Sequence, residues 1–206
     1  LVIWAWVVIL VFDGTLTRRD TLLPFLVRAC GAARVAQAVS RVAPVAARAR
    51  VGRLESELHH RDVVKERLLA DLFAGRDGEW FARMGEDYAR TLPQRIRPAL
   101  AEQVAWHRST GHELIIVSAS LLTYLTPFAR DHGFDHVIAV GMEVDEAGRL
   151  TGALTGPNVR GPEKAVRLRA WLGGEQPGFL WAYGNSGGDT ELLEMADVPV
   201  WVQKRD

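Results

Sequence analysis

The chain opens with twelve apolar residues in a row, Leu1 to Phe12, and the run stops at Asp13-Gly14. That is short of the ~20 residues a bilayer-spanning helix needs. It also has neither the basic flank nor the small-residue cleavage site of a signal peptide. A continuous apolar run bounded by a turn suits a central strand of a parallel sheet, buried on both faces. The first residue is Leu rather than Met, which fits a fragment or a processed product.

After the Gly14-Thr15 turn a helical stretch runs from about Thr21 to Leu92, rich in Ala, Arg, Leu and Val. Gly52 and Gly75 punctuate it, Pro44 is expected to kink or break it, and strand-like alternation is missing. From Pro98 the texture changes. A helix through Trp106 ends near Gly111, and the run Leu114-Ile115-Ile116-Val117 predicts a strand stopping at Ser118. There follow a helix (Leu121 to His132), a strand (His136 to Val140), a hairpin around Glu146-Ala147-Gly148 and a helix from Glu163 to Leu172. A strand from Phe179 to Tyr183, a helix from Asp189 to Met195 and a strand from Val198 to Val202 complete the pattern.

Alternating strands and helices predict an α/β fold, a doubly wound parallel Rossmann-like sheet with an inserted all-α helical-bundle cap. Residues 1–20 and 93–206 would form the core domain and residues 21–92 the cap, with strands ending at Phe12, Val117 and Tyr183 side by side. A length of 206 residues suits one domain carrying such an insertion.

Twenty-five basic and twenty-five acidic residues leave no global charge to draw the chain to nucleic acid. The single cysteine, Cys30, excludes an internal disulfide and fits a reducing, cytoplasmic setting. His132 and His136 straddle Gly133, and His59 and His60 point apart on a helix, which argues against zinc. Between Thr21 and Leu54 stand Arg28, Arg34, Arg41, Arg48, Arg50 and Arg53, with no acid among them. This stretch reads either as a solvated face of the cap or as a contact for an anionic membrane surface.

Polar residues gather where the predicted strands end: Asp13, Ser118, Asn185 and Asp189, with Lys164 opening a helix. Ligands of open α/β sheets bind beyond the carboxyl ends of the strands. Each residue also has a plainer reading: Asp13 as a turn residue, Ser118 as a helix cap, Lys164 as a solvated cation. Gly184-Asn185-Ser186-Gly187-Gly188 also fits the nucleophile elbow of α/β-hydrolases, but that triad needs a His after the Ser, and none follows His136. Gly156 and Gly161 have phosphate-loop spacing, yet Pro162 takes the Lys position.

Phe12-Asp13-Gly14-Thr15-Leu16-Thr17 resembles the second half of the first motif of the haloacid dehalogenase superfamily, Asp-x-Asp-Gly-Thr. Val117-Ser118-Ala119-Ser120 is similar to the second motif, Gly161-Pro162-Glu163-Lys164 to the third, and Tyr183-Gly184-Asn185-Ser186-Gly187-Gly188-Asp189 to the fourth. Order and spacing match from about Val7 to Val202. The helical insertion after the first motif resembles the subfamily IB phosphatases, which include phosphoserine phosphatase.

The resemblance implies hydrolysis of a phosphate monoester on a small phosphorylated substrate. The first Asp of the motif forms an aspartyl-phosphate and the second, Asp13, serves as acid and base. It implies Mg²⁺ held at the positions of Asp13, Asn185 and Asp189. Phosphate would be held by Ser118, Lys164 and the loop amides of Gly14, Thr15 and Ala119. Asp20 stands where relatives place a substrate-contacting acid, which suggests an amine-bearing substrate. Two positions depart from the pattern. Val11 replaces the nucleophilic Asp, and Asn185 replaces an acid of the fourth motif. The chain is therefore expected to be impaired in hydrolysis; the alternative is a non-catalytic relative that binds a phosphorylated metabolite.

Overall fold

The computed structural model describes residues 6–51 and 57–203, and for 45–51 and 57–60 the backbone alone. The opening apolar run contributes β1 (Val7–Val11), and Leu1 to Ala5 lie outside the described residues. Every residue of β1 is buried. It pairs in parallel with β2 (Glu113–Leu121) on one side and β6 (Leu180–Gly184) on the other. With β3 (His136–Val140) and β7 (Val198–Trp201) the five-stranded sheet has the order β3-β2-β1-β6-β7, all parallel. Strand β2 runs past Ser118, where the β-branched run ends, and its register against β3 shifts between Val117 and Leu121.

Successive side chains of a strand face opposite ways, so β1 feeds two cores. Val8, Leu10 and Phe12 join one apolar cluster, while Val7, Ile9 and Val11 join the other. The second cluster is closed by α7 (Pro162–Leu172) and α8 (Thr190–Leu193), through Leu168, Leu172, Leu192 and Leu193. The first is closed by α5 (Pro98–Ser109), by α6 (Leu122–His132) and by the helices inserted after β1.

Those inserted helices are α1 (Leu22–Cys30), α2 (Ala32–Val51), α3 (Glu57–Phe73) and α4 (Gly78–Ala89). The break between α1 and α2 falls at Gly31, whose φ of 83° L-residues with a side chain rarely adopt. The first part of α2 turns away from α1 by 119° there. Pro44, expected to kink or break the stretch, lies inside α2, which continues to Val51. Buried Val35, Ala38 and Val42 anchor that helix, so the loss of one backbone bond does not end it. Arg41 pairs with Asp71 of α3 at 3.1 Å, while the side chains of Arg48 and Arg50, and all of Arg53, lie outside the described residues. No single helix among the described residues is long and apolar enough to cross a membrane.

The cap is welded to the core by aromatic rings. Phe25 of α1 is fully buried, with ring centroids 5.9 Å from Phe81, 5.4 Å from Tyr88 and 5.0 Å from Tyr124 of α6. A hairpin of β4 (Met142–Val144) and β5 (Leu150–Leu154) braces α3 from the other side. The predicted turn at Glu146-Ala147-Gly148 is the turn of that hairpin.

At the opposite end of α5 lies a polar chain within the core. His107 Nδ1 is 2.8 Å from His112 Nδ1, and His107 Nε2 is 2.8 Å from the Tyr183 hydroxyl. Burial, then the neighbouring His112, push His107 down to about 4, and burial also lowers His112. The unfolded chain therefore takes up protons first as pH falls. The contribution of these imidazoles to stability is complete above about 6.5, the ordinary histidine value, and is lost as pH falls toward 4. The melting temperature should be flat above pH 7 and drop between pH 6.5 and 4, with a shallower drop in His107→Gln. Separately, Phe25→Ala should cost about 3–5 kcal/mol in denaturant unfolding, the usual range for a fully buried ring.

Candidate active site

The register of β1 sets the site. Val11 pairs with Val117 of β2, and Leu10 with Tyr183 of β6, so the loops after all three strands open on the same edge of the sheet. After β1 the chain makes a wide turn, Phe12 to Leu16, closed by the Thr17 N–H donating to the Phe12 carbonyl at 3.0 Å. Gly14 takes φ 77°, and a Cβ on it would run into the Asn185 amide. Glycine is thus required there on two counts.

The Asp13 carboxylate is the hub. Its Oδ1 accepts from the Thr21 N–H and the Thr21 hydroxyl, each at 2.7 Å. Its Oδ2 accepts from the Ser120 hydroxyl at 2.5 Å and, more distantly, from Ser118 at 3.5 Å. Burial pushes the Asp13 carboxyl up, and the Ser120 and Thr21 bonds only partly oppose it. A carboxyl raised in this way holds a proton more readily, as a general acid must. The Thr21 hydroxyl also lies 3.2 Å from the Tyr124 hydroxyl, and the Tyr88 hydroxyl donates to the Thr21 carbonyl at 2.8 Å. The hub is thereby tied to α4 and α6.

Lys164, in the first turn of α7, is 6% exposed and ion-paired with fully buried Asp189 through Oδ1. The other oxygen of Asp189 accepts from the backbone N–H groups of Asn185 (3.0 Å) and Ser186 (2.9 Å) and from the Ser186 hydroxyl (2.9 Å). Burial alone would raise the Asp189 carboxyl, but the Lys164 charge and these bonds outweigh it and the carboxyl is lowered. The reading of Lys164 as a solvated cation does not hold.

The strand ends open into a cavity of about 530 Å³. Asp13, Ser118, Ala119 and Lys164 line it, together with Val11, and Asp20 lies at its edge, where its carboxylate accepts from the Leu23 N–H at 2.9 Å. Gly14, Thr15, Asn185 and Asp189 do not line it: Asp189 stands behind Lys164, and Asn185 lies against Gly14. Four polar lining residues had not been singled out from the sequence: Arg61 and Lys65 of α3, and Asn158 and Arg160 of the loop before α7. Lys65 Nζ donates to the Ala119 carbonyl and to Asn158 Oδ1. Burial lowers Lys65 to about 8, with Asp62 and Asp13 partly opposing. One signal was available. Nearly every cation in the sequence is Arg; the lysines are Lys65, Lys164 and Lys204, and two of these face the cavity.

The donors do not form a good magnesium site. Mg²⁺ asks for near-octahedral oxygen ligands that include one or two carboxylates. The Val11 side chain offers no oxygen, Asn185 is neutral, and all four carboxylate oxygens of Asp13 and Asp189 already accept hydrogen bonds or the Lys164 ion pair. Among the described residues no three His, Cys, Asp or Glu side chains converge. Lys164→Met would leave the Asp189 carboxylate buried without its counter-ion, at a cost of about 3–5 kcal/mol. Chemical denaturation should show that loss, and adding Asp189→Asn should return much of it.

Residues 8–194 match the haloacid dehalogenase-like hydrolase family. Protein CicA of Caulobacter vibrioides is 35% identical over 190 residues, covering 90% of this chain and 81% of its own. Among solved structures, a protein of unknown function from Bordetella pertussis Tohama I superposes with a TM-score of 0.71 at 25% identity, over 93% of this chain and 86% of that one. A probable phosphoserine phosphatase from Vibrio cholerae has a TM-score of 0.64 at 20% identity, over 92% and 53%, a likeness of fold. With the parallel sheet, the inserted helices and the strand-end cavity in place, this chain belongs to the haloacid dehalogenase-like hydrolase family.

Proposed function

We propose that this chain binds a small phosphate monoester at the strand ends, and that covalent hydrolysis of it is disabled at Val11. The carrying observation is that Val11 lines the cavity beside Asp13 and Lys164. In the chemistry that the family resemblance implies, a carboxylate two residues before Asp13 attacks phosphorus and a phosphoenzyme forms. An isopropyl group has no lone pair with which to attack. Asp13 is no substitute, because it lies two residues further on and is committed to Thr21 and Ser120.

What remains suits binding. Ser118, Ala119 and Lys164 line the cavity, and the Ser118 hydroxyl, the Ala119 amide and the Lys164 ammonium would hold phosphate oxygens. Asp13, with its raised carboxyl, would donate a proton to the ester oxygen. The magnesium-assisted step calls for acids at positions 11 and 185, and this chain has Val and Asn there.

Losing a nucleophile costs on the order of 10⁶ in rate where it has been dissected in a protease. The chain as it stands should form no phosphoenzyme with p-nitrophenyl phosphate and Mg²⁺, yet calorimetry should detect inorganic phosphate binding. Val11→Asp should restore Mg²⁺-dependent hydrolysis, and adding Asn185→Asp should lower the Mg²⁺ concentration required. Robust turnover by the unmodified chain, abolished by Asp13→Asn, would identify a different nucleophile and sink the proposal.

A further inference from the structure

Two arginines that line the same cavity, exposed Arg61 and half-buried Arg160, form no ion pair among the described residues. Arg61 lies on α3 four residues before Lys65, so the two share a helix face. Lys65 Nζ donates to Asn158 Oδ1 at 2.5 Å and to the Ala119 carbonyl, and Asn158 Nδ2 donates to Asp62 Oδ1 at 2.6 Å. These bonds fasten α3 to the loop ahead of α7, and Arg160 stands two residues after Asn158 on that loop. The clasp therefore forces Arg61 and Arg160 into one another's neighbourhood.

Among the described residues neither guanidinium has an ion pair. Asp62, whose charge acts on Arg160, already accepts from Asn158. Burial, then the charge of Arg61, push the Arg160 guanidinium below its ordinary value, and Asp62 only partly opposes them. Lys164 differs, because Asp189 answers its charge. Two like charges held together over a cavity cost free energy unless an anion lies between them. Arginine cannot escape by losing its proton.

We infer that Arg61 and Arg160 form a second anion subsite, so that the ligand is a phosphate monoester carrying a second phosphate group. This rests on the reading of Ser118 and Lys164 as the seat of the first phosphate. The charge count favours phosphate over carboxylate as the second group. A phosphate monoester carries about −1.5 to −2 charges near neutrality and offers three acceptor oxygens, enough for two guanidinium forks. A carboxylate, with one charge, leaves one guanidinium unanswered.

The test is calorimetry on the whole chain with a matched three-carbon series: propyl phosphate, 3-phosphooxypropanoate and propane-1,3-diol bisphosphate. Hydrogen bonds between charged groups predict that the bisphosphate binds roughly ten- to a hundredfold tighter than propyl phosphate, with the carboxylate probe between them. In Arg61→Ala and Arg160→Ala the ratio of bisphosphate to propyl phosphate affinity should fall toward one, with melting curves checking the fold of each variant. Equal affinity of the unmodified chain for bisphosphate and propyl phosphate overturns the second subsite and leaves the first standing. A carboxylate probe that binds as tightly as the bisphosphate overturns the choice of phosphate. If none of the series binds, the phosphate-binding reading of Ser118 and Lys164 falls, and the second subsite with it.

Discussion

Burial of β1 on both faces is the constraint from which the rest of the structure follows. A strand with a core above and below it must stand in the middle of its sheet and take parallel neighbours on either side. Once β2 and β6 flank β1 in the observed register, their carboxyl ends and the loops beyond them lie together. Asp13, Ser118 and the Asn185–Asp189 loop come from three distant parts of the sequence, and that register alone makes them neighbours. Lys164 then needs only to open a helix packed on the same face of the sheet as Val11, and α7 does so.

The second coupling runs through Asp13. Its bonds to Thr21 and Ser120 reach the first residues of the cap on one side and the end of β2 on the other. Through Thr21 it touches Tyr124 and Tyr88, which also pack on Phe25. The seam between cap and core thus meets the candidate site at a buried carboxylate whose hydrogen-bonding capacity is filled from both sides. On the far wall Lys65 and Asn158 make the corresponding join between α3 and the loop before α7. Two polar clasps flank the cavity, and Arg61 and Arg160, which form no ion pair among the described residues, line it.

The sheet was legible in the sequence because its signals are local. Apolar and β-branched runs of four to twelve residues, bounded by Gly, Ser or Asp, mark all the parallel strands, and Glu146-Ala147-Gly148 marks the hairpin turn. Boundaries were less legible. The end of the β-branched run at Ser118 is not the end of β2, because pairing with β3 resumes at Leu121 after a shift of register. Pro44, expected to kink or break the stretch, does not end α2, which Val35, Ala38 and Val42 anchor in the core. Gly31 made the break instead. Within the site, Asp13, Ser118 and Lys164 were visible because motif residues keep fixed offsets from strand ends. Arg61, Lys65, Asn158 and Arg160 were not, because only the docking of α3 against the loop before α7 makes them neighbours, and helix docking leaves no fixed spacing in sequence.

Position 11 separates the requirements of the fold from those of the chemistry. In the structure Val11 is 4% exposed and packs with Ile9, Val117 and Leu192 in the apolar cluster beneath α7 and α8, while also lining the cavity. A β-branched side chain suits that strand, and an aspartate there would have to be desolvated or drawn toward a cation to be accommodated. Lys164, which lines the same cavity, is already paired with Asp189. A carboxylate at position 11 would have to share the strand end with that apolar cluster. Ser118, Ala119 and Lys164, which line the same cavity, are carried by other elements, β2 and α7.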